Sequence, residues 1–133
     1  MDIGDRRIGI AVSDPFNSYA IPVDTYWRKG NFKEDVAAMA AVAKEKDVGE
    51  IICGLPVNAD GSDSIQTEKT LKFIYALQEI SPVPVYCEDE RFTSLQAHQT
   101  LHEEGLEYRK HKKNVDSIAA SFILDGYLAS RNH

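Results

Sequence analysis

The chain has 133 residues, 43% of them hydrophobic and 27% charged, and a net charge of −6. This composition predicts one folded domain over residues 1–133 and excludes a disordered or low-complexity chain. No apolar run approaches the roughly 18–20 residues of a membrane span and the N-terminus lacks a secretory signal, so we expect a cytoplasmic protein that contacts no membrane. The negative charge counts against general binding of polyanions, so a nucleic-acid site must depend on local basic patches.

Two antiparallel strands and a helix are predicted in the first part of the chain. Residues 7–13 are apolar and β-branched, residues 20–27 alternate, and a short strand at residues 1–3 would precede them. Pro22 places the second long strand near a sheet edge. Asn31 is the expected N-cap of a helix. The apolar stripe of that helix consists of Val36, Met39, Ala40 and Ala43.

Alternating strands and helices are predicted in the rest of the chain. They are strands at residues 48–53 and 83–87 and helices that start at Ser62 or Ser64, at Thr93 or Ser94 and at Asn114. An antiparallel start followed by alternating units predicts an α/β fold in which a mixed sheet has helices on both faces. Ligands of such sheets gather at the carboxyl ends of the parallel strands, here residues 54–56 and 89–90.

Asp116 is the strongest candidate for a functional carboxylate. It lies four residues before Ala120 and seven before Ile123, which puts it on the predicted buried face of the last helix. That face is marked by Val115, Ile118, Ala119, Phe122 and Ile123. A carboxylate that faces inward is costly unless it is paired or binds a metal, although a first-turn Asp favoured by the helix dipole is the alternative. Asp125 is expected to project from the other side into solvent.

Three consecutive acidic residues, Glu88, Asp89 and Glu90, follow the strand predicted at residues 83–87. Alternation would point Glu88 and Glu90 one way and Asp89 the other. Taken alone this is an ordinary polar strand end, but together with Asp116 it predicts a shared site. Converging carboxylates hold Mg²⁺ or Mn²⁺ for the hydrolysis of phosphodiester bonds. Asp2 is a weak candidate from its spacing alone.

Two further segments are candidates for contacts with phosphate. The loop at residues 54–62 joins a strand to a helix and is either a phosphate cradle or purely structural. A basic run just before Asp116 is either a solvated loop or a source of positive charge beside the acidic site. It consists of Arg109, Lys110, His111, Lys112 and Lys113.

Four segments of the chain, in this order, resemble the YqgF/RuvX family, RNase H-like proteins described as Holliday junction resolvases and pre-16S rRNA nucleases. They are Asp-Ile-Gly at 2–4 with Arg-Arg-Ile-Gly-Ile-Ala-Val-Ser-Asp at 6–14, Gly-Leu-Pro-Val-Asn-Ala-Asp-Gly-Ser at 54–62, Asp-Glu-Arg-Phe-Thr-Ser at 89–94 and Val-Asp-Ser-Ile-Ala-Ala at 115–120. Each is weak alone, but four in series over almost the whole chain are specific.

The resemblance implies an RNase H-like fold, a divalent metal and three acidic site residues that map to Asp2, Glu90 and Asp116. It also implies a cytoplasmic role in maturing the 5′ end of small-subunit ribosomal RNA. Arg7, Arg91 and the basic run would then position the backbone of a structured RNA or of a branched DNA.

The chain departs from the family pattern at its start. Family members usually have several apolar residues before Asp-x-Gly, and these form a central strand, whereas only Met1 precedes Asp2 here. Either the start is assigned too late or the central strand is short. In the second case we expect Asp2 to be loosely held, which would lower its value as a metal ligand.

The leading hypothesis is therefore a metal-dependent nuclease that acts on structured RNA or DNA. One alternative is a non-catalytic RNA-binding ribosome-assembly factor that keeps the fold. Another is a nucleotide-binding domain like the actin and sugar-kinase relatives of this fold, for which 133 residues leave little room for a second lobe. Nothing in the sequence marks an oligomer interface.

Overall fold

A computed structural model of the chain describes residues 1–58, 60–89 and 115–131. The strands in this part are β1 (Asp2–Ile3), β2 (Arg7–Ser13), β3 (Ala20–Trp27), β4 (Ile51–Leu55) and β5 (Val85–Asp89). The helices are α1 (Phe32–Glu45), α2 (Ile65–Ile80) and α3 (Val115–Arg131). The helix predicted to start at Thr93 or Ser94 lies outside the described residues.

Met1 joins two groups of strands into one mixed sheet. Strands β1, β2 and β3 pair antiparallel in that order, and β4 pairs with β5 in parallel. The Met1 amino group donates to the Ile52 carbonyl oxygen at 2.6 Å, and the Gly54 N–H donates to the Met1 carbonyl oxygen at 3.0 Å. This is the bonding pattern of parallel strands. The spatial order is therefore β3-β2-β1-β4-β5.

Helices cover both faces of the sheet, as the sequence predicts. On one face, Ile3 and its ladder partner Ile8 pack with side chains of α1 and α2. This core contains Ile3, Ile8, Ile10, Val36, Met39, Ala43, Ile51, Cys53, Phe73, Ile74, Leu77 and Val85. Helix α3 packs on the opposite face, where Ala120 and Ile123 are buried outside that core. Pro22 lies in β3, which pairs only with β2 among the described strands, as its predicted edge position requires.

The parallel strands begin later than predicted, at Ile51 and Val85 instead of residues 48 and 83. The Val48 N–H still bonds to the Ala43 carbonyl oxygen at the end of α1, at 3.3 Å, so residues 48–50 form the connection to β4. Strand pairing starts where the Ile51 N–H donates to the Pro84 carbonyl oxygen at 2.9 Å. Strand β5 also ends later than predicted, because Glu88 and Asp89 still pair with Gly54 and Leu55 of β4.

A buried carboxylate, Asp35, ties α1 to the end of β3. Asn31 caps α1 as predicted, accepting from the Glu34 N–H at 3.1 Å, and Asp35 follows in the first turn with 1% of its surface exposed. It accepts hydrogen bonds from the Tyr26 hydroxyl, the Arg28 Nε and the Lys29 N–H, each at 3.0 Å. Burial raises its pKa, but the Lys29 N–H, Arg28 and Tyr26 outweigh that effect and the net pKa is lowered.

Strand β1 is short, yet Asp2 is held from both sides. Its ladder partner is Gly9 of β2, and the hydrogen bonds of Met1 attach the same strand to β4. A cavity of about 850 Å³ lies beyond Met1, between residues 10–13 of β2 and residues 50–52 at the start of β4. The expectation that Asp2 is loosely held is therefore wrong for this structure, because paired strands flank it.

None of the helices described above has the length and apolar character that spanning a bilayer requires.

Candidate active site

Asp2 lies on the face of the sheet that carries α3. Residues directly opposite each other in an antiparallel ladder place their side chains on the same face. The pair Ile3–Ile8 faces the core with α1 and α2. Because side chains alternate along a strand, the neighbouring pair Asp2–Gly9 faces the opposite side. The Asp2 side chain therefore points toward the layer that contains α3.

Gly9 lets the start of α3 rest directly on β2. A Cβ atom added to Gly9 would overlap the main-chain carbonyl group of Asp116 and come within 3.0 Å of the Ser117 nitrogen. Glycine inside a strand often marks such a close approach of another backbone. Asp2 is the ladder neighbour of Gly9, and Asp116 covers Gly9. The fold thus brings the backbones of two acidic residues, 114 positions apart in the sequence, to the same glycine.

The Asp116 side chain is partly buried and forms an ion pair with β2. Its Oδ2 lies 3.3 Å from the Arg7 Nε, and 23% of the Asp116 side chain is exposed. The side chain therefore turns toward β2, as predicted, but it is only partly buried. Of the predicted buried stripe, Ile123 is fully buried, and Val115, Ile118, Ala119 and Phe122 are partly buried like Asp116. The residues of α3 that are buried are Ser117, Ala120, Ser121, Ile123 and Leu128.

Asp125, on the same helix, is exposed as predicted but is not simply solvated. Its Oδ1 accepts a hydrogen bond from the Ala20 N–H at 2.7 Å. This bond attaches the second half of α3 to the first residue of β3. Asp125 is therefore a structural acceptor, in contrast to Asp116, whose side chain pairs with Arg7.

Glu88 lies on the same face as Asp2. In β5 it pairs with Gly54 of β4, and the hydrogen bonds of Met1 to residues 52 and 54 place Asp2 next to Gly54 on the other side. Asp2 and Glu88 are thus two strands apart, about 10 Å between Cα atoms from the usual strand spacing. Burial, and to a lesser extent the charge of Asp89, raise the pKa of Glu88.

The donor chemistry of this face suits a hard divalent cation. Carboxylate oxygens are the ligands that Mg²⁺ and Mn²⁺ prefer, and Asp2 and Asp116 carry such oxygens on residues whose backbones both lie against Gly9. Across residues 1–58, 60–89 and 115–131, however, no three His, Cys, Asp or Glu side chains lie close enough together to hold a metal. The described pair therefore fits part of a metal site.

The other predicted site residues lie outside the described residues, so their positions relative to Asp2 and Asp116 stay predictions. They are Glu90, Arg91, Arg109, Lys110, Lys112 and Lys113. Of the predicted basic residues, Arg7 alone lies in the described ranges. About half of its side chain is exposed, and its guanidinium contacts both Asp116 and the ring of Trp27.

The loop at residues 54–62 uses several of its polar groups internally. The Asn58 N–H donates to the Ser62 carbonyl oxygen at 2.9 Å, and the Ser62 N–H donates to Asp60 Oδ1 at 2.9 Å. Ser64 then caps α2, accepting from the Thr67 N–H at 3.2 Å in a reciprocal capping box. These bonds favour the structural interpretation of the loop over the phosphate cradle.

Sequence reasoning missed two residues of this region, Gly9 and Trp27. Gly9 interrupts a β-branched run, and a strand glycine is a recognisable signal of close backbone approach. Trp27 was visible only as the last residue of an alternating segment. Its position depends on the register that pairs it with Arg7, which the local pattern does not show.

Comparison with known proteins finds a matching family and similar proteins. The profile of the family described as "RuvX: Holliday junction resolvase" matches residues 1–130. The chain is 42% identical over 130 residues to the "Putative pre-16S rRNA nuclease" of Clostridium novyi (strain NT), covering 98% of this chain and 96% of that protein. A protein with the same name from Caldanaerobacter subterraneus subsp. tengcongensis is 41% identical, over 100% of this chain and 96% of its own length. Another from Koribacter versatilis is 40% identical, over 98% of this chain and 85% of its own length.

The family match and the mixed sheet support each other. The antiparallel start, the parallel strands and the helices on both faces form an RNase H-like fold. The family profile and the relatives both cover nearly the whole chain. The chain therefore belongs to the RuvX family of RNase H-like nucleases.

Proposed function

We propose that this protein is a metal-dependent nuclease that hydrolyses phosphodiester bonds during maturation of the 5′ end of pre-16S ribosomal RNA. The observation that carries the proposal is that Asp2, the ladder partner of Gly9, lies next to the point where the start of α3 at Asp116 rests on Gly9. The names of the relatives supply the RNA substrate. The proposed site of action is the cytoplasm.

In this proposal Asp2, Glu90 and Asp116 hold one or two Mg²⁺ or Mn²⁺ ions. The bound cation would supply the activation of water and the stabilisation of the leaving oxygen. Asp2 is suited to binding because paired strands hold its backbone on both sides. Asp116 is suited because the main chain of α3 cannot shift toward the sheet without moving Gly9.

Arg7 is the described residue best placed to contact the phosphodiester backbone. Its guanidinium lies 3.3 Å from Asp116 and about half of the side chain is open to solvent. An Arg fork can donate two parallel hydrogen bonds to a phosphate. Arg91 and the basic run at residues 109–113 are the other proposed contacts with the nucleic acid.

Asp116→Asn is expected to slow cleavage of a precursor 16S rRNA fragment about 100-fold, because an amide is a poorer partner for a divalent cation than a carboxylate. The measurement is single-turnover cleavage with Mg²⁺ or Mn²⁺, and EDTA should abolish it. Asp125→Asn is the matched control on the same helix, since an amide oxygen still accepts from Ala20. Equal cleavage by wild type and Asp116→Asn would remove Asp116 from the mechanism.

A second candidate function is cleavage of branched DNA, which the description of the family favours. The same enzyme preparation is offered a four-way DNA junction and the precursor RNA at matched concentrations. Preferential metal-dependent cutting of the junction supports this second function. Binding of RNA without any product at high protein concentration supports a non-catalytic assembly factor and contradicts both nuclease activities.

A further inference from the structure

Trp27 is an exposed indole at the edge of the candidate active site. It is the chain's single tryptophan, and 65% of its surface is exposed. Trp27 is the ladder partner of Arg7, and the Arg7 Cζ lies 5.4 Å from the ring centroid. Opposite residues share a face of the sheet, so the indole lies on the face that carries Asp2 and Asp116.

Arg7 connects this indole to the acidic pair. The Arg7 guanidinium stacks on Trp27 and reaches Asp116 Oδ2 at 3.3 Å. The order along the surface is therefore aromatic ring, cation and carboxylate. A nucleotide presents the complementary order, because its base offers a flat π-face and its phosphate is an anion one sugar away.

The surroundings of Trp27 favour a nucleic acid over an apolar protein surface. The Arg7 guanidinium lies over the Trp27 ring. Lys29 is near Trp27 in the chain and Arg6 precedes Arg7, whereas Arg28 pairs with the buried Asp35. Arg6 and Lys29 are exposed. An exposed aromatic ring beside an Arg is typical of surfaces that track single-stranded nucleic acid.

We propose that Trp27 is the stacking platform for an unpaired nucleobase of the substrate, with the adjacent phosphate on Arg7. This inference rests on the proposed nuclease function and narrows the substrate class to nucleic acid that carries an unpaired nucleotide beside the cleaved bond. A base within a duplex keeps both of its faces stacked, so it does not gain this contact without unpairing.

Intrinsic fluorescence tests the contact directly, because every tryptophan photon comes from Trp27. The protein is titrated in EDTA, which prevents cleavage, with a single-stranded RNA oligonucleotide and with a blunt RNA duplex of equal length. Stacking predicts quenching by the single strand and little change with the duplex. Absence of quenching by a single strand that binds overturns the proposal.

Substitutions at Trp27 then distinguish two roles, stacking on a base of the substrate and holding the Arg7 side chain in place. Trp27→Ala is expected to weaken binding of the single strand about 5- to 150-fold, the usual range for losing one stacked base. Trp27→Phe should retain most of the affinity, and Tyr75→Ala, an exposed aromatic on α2, should retain all of it. If Trp27 only orders Arg7, Trp27→Ala weakens duplex and single strand equally, which contradicts stacking.

The two proposals fail in different ways. If a single strand quenches Trp27 and Trp27→Ala selectively loses affinity for it, but the wild type cleaves nothing, the stacking proposal is supported and the nuclease proposal is rejected. Metal-dependent cleavage that Trp27→Ala performs as well as wild type, on substrates with and without unpaired nucleotides, would leave the nuclease standing and reject the platform.

Discussion

Gly9→Ala is expected to disrupt both the fold and the activity of the protein. The new methyl group would overlap the main-chain carbonyl of Asp116, so α3 must move away from β2. We expect a loss of about 3 kcal/mol in the free energy of unfolding, the upper end for overpacking. Displacing a site group by about 1 Å costs about 100-fold in rate, so cleavage should fall at least that far.

Urea unfolding and single-turnover cleavage measure these two effects. Gly49→Ala is the matched control, because an added Cβ there meets no atom within 4 Å. Cleavage is measured under conditions in which circular dichroism shows that Gly9→Ala is still folded, so that lost activity is not confused with lost structure. A Gly9→Ala protein with the stability and cleavage rate of wild type would show that α3 does not rest on β2.

Asp35→Asn is expected to lower the free energy of unfolding by about 3 kcal/mol, the low end for breaking a buried ion pair. The substitution removes the charge that compensates Arg28, whose side chain is 18% exposed. It also places an NH₂ group among three donors, from Tyr26, Arg28 and Lys29. Glu45→Gln, at an exposed position of the same helix, is the matched control.

The pH dependence of that difference follows from the direction of the Asp35 pKa shift. Burial raises the pKa of Asp35, but the hydrogen bonds from Lys29, Arg28 and Tyr26 lower it by more than burial raises it. The pKa in the folded state therefore lies below the pKa in the unfolded state. The Asp35 carboxylate therefore contributes fully to the free energy of unfolding above the unfolded pKa of about 3.9, and this contribution is lost as pH falls through the folded-state pKa. Urea midpoints of wild type and Asp35→Asn should be widely separated at pH 7 and converge in acid. A constant separation would contradict the lowered pKa.

Local patterns predicted the helices of the described chain better than the ends of its parallel strands. Asn31 and Ser64 cap their helices as expected, because capping depends on residues within three positions of each other. The starts of β4 and β5 were misplaced by two to three residues. Those starts depend on the bond between Ile51 and Pro84, which joins segments that no local window compares.

The sequence by itself determined the fold class and the family resemblance, since these depend on periodicity and on the order of motifs. Only the tertiary structure decided that α3 packs directly against Gly9, that Arg7 pairs with Asp116 and that the Trp27 ring contacts Arg7. It also decided that Asp35 is buried among three donors. Each of these contacts joins different elements, and strand register and helix docking set the distances between them. A periodic pattern shows which face of an element is buried, but not which residue of another element lies against it.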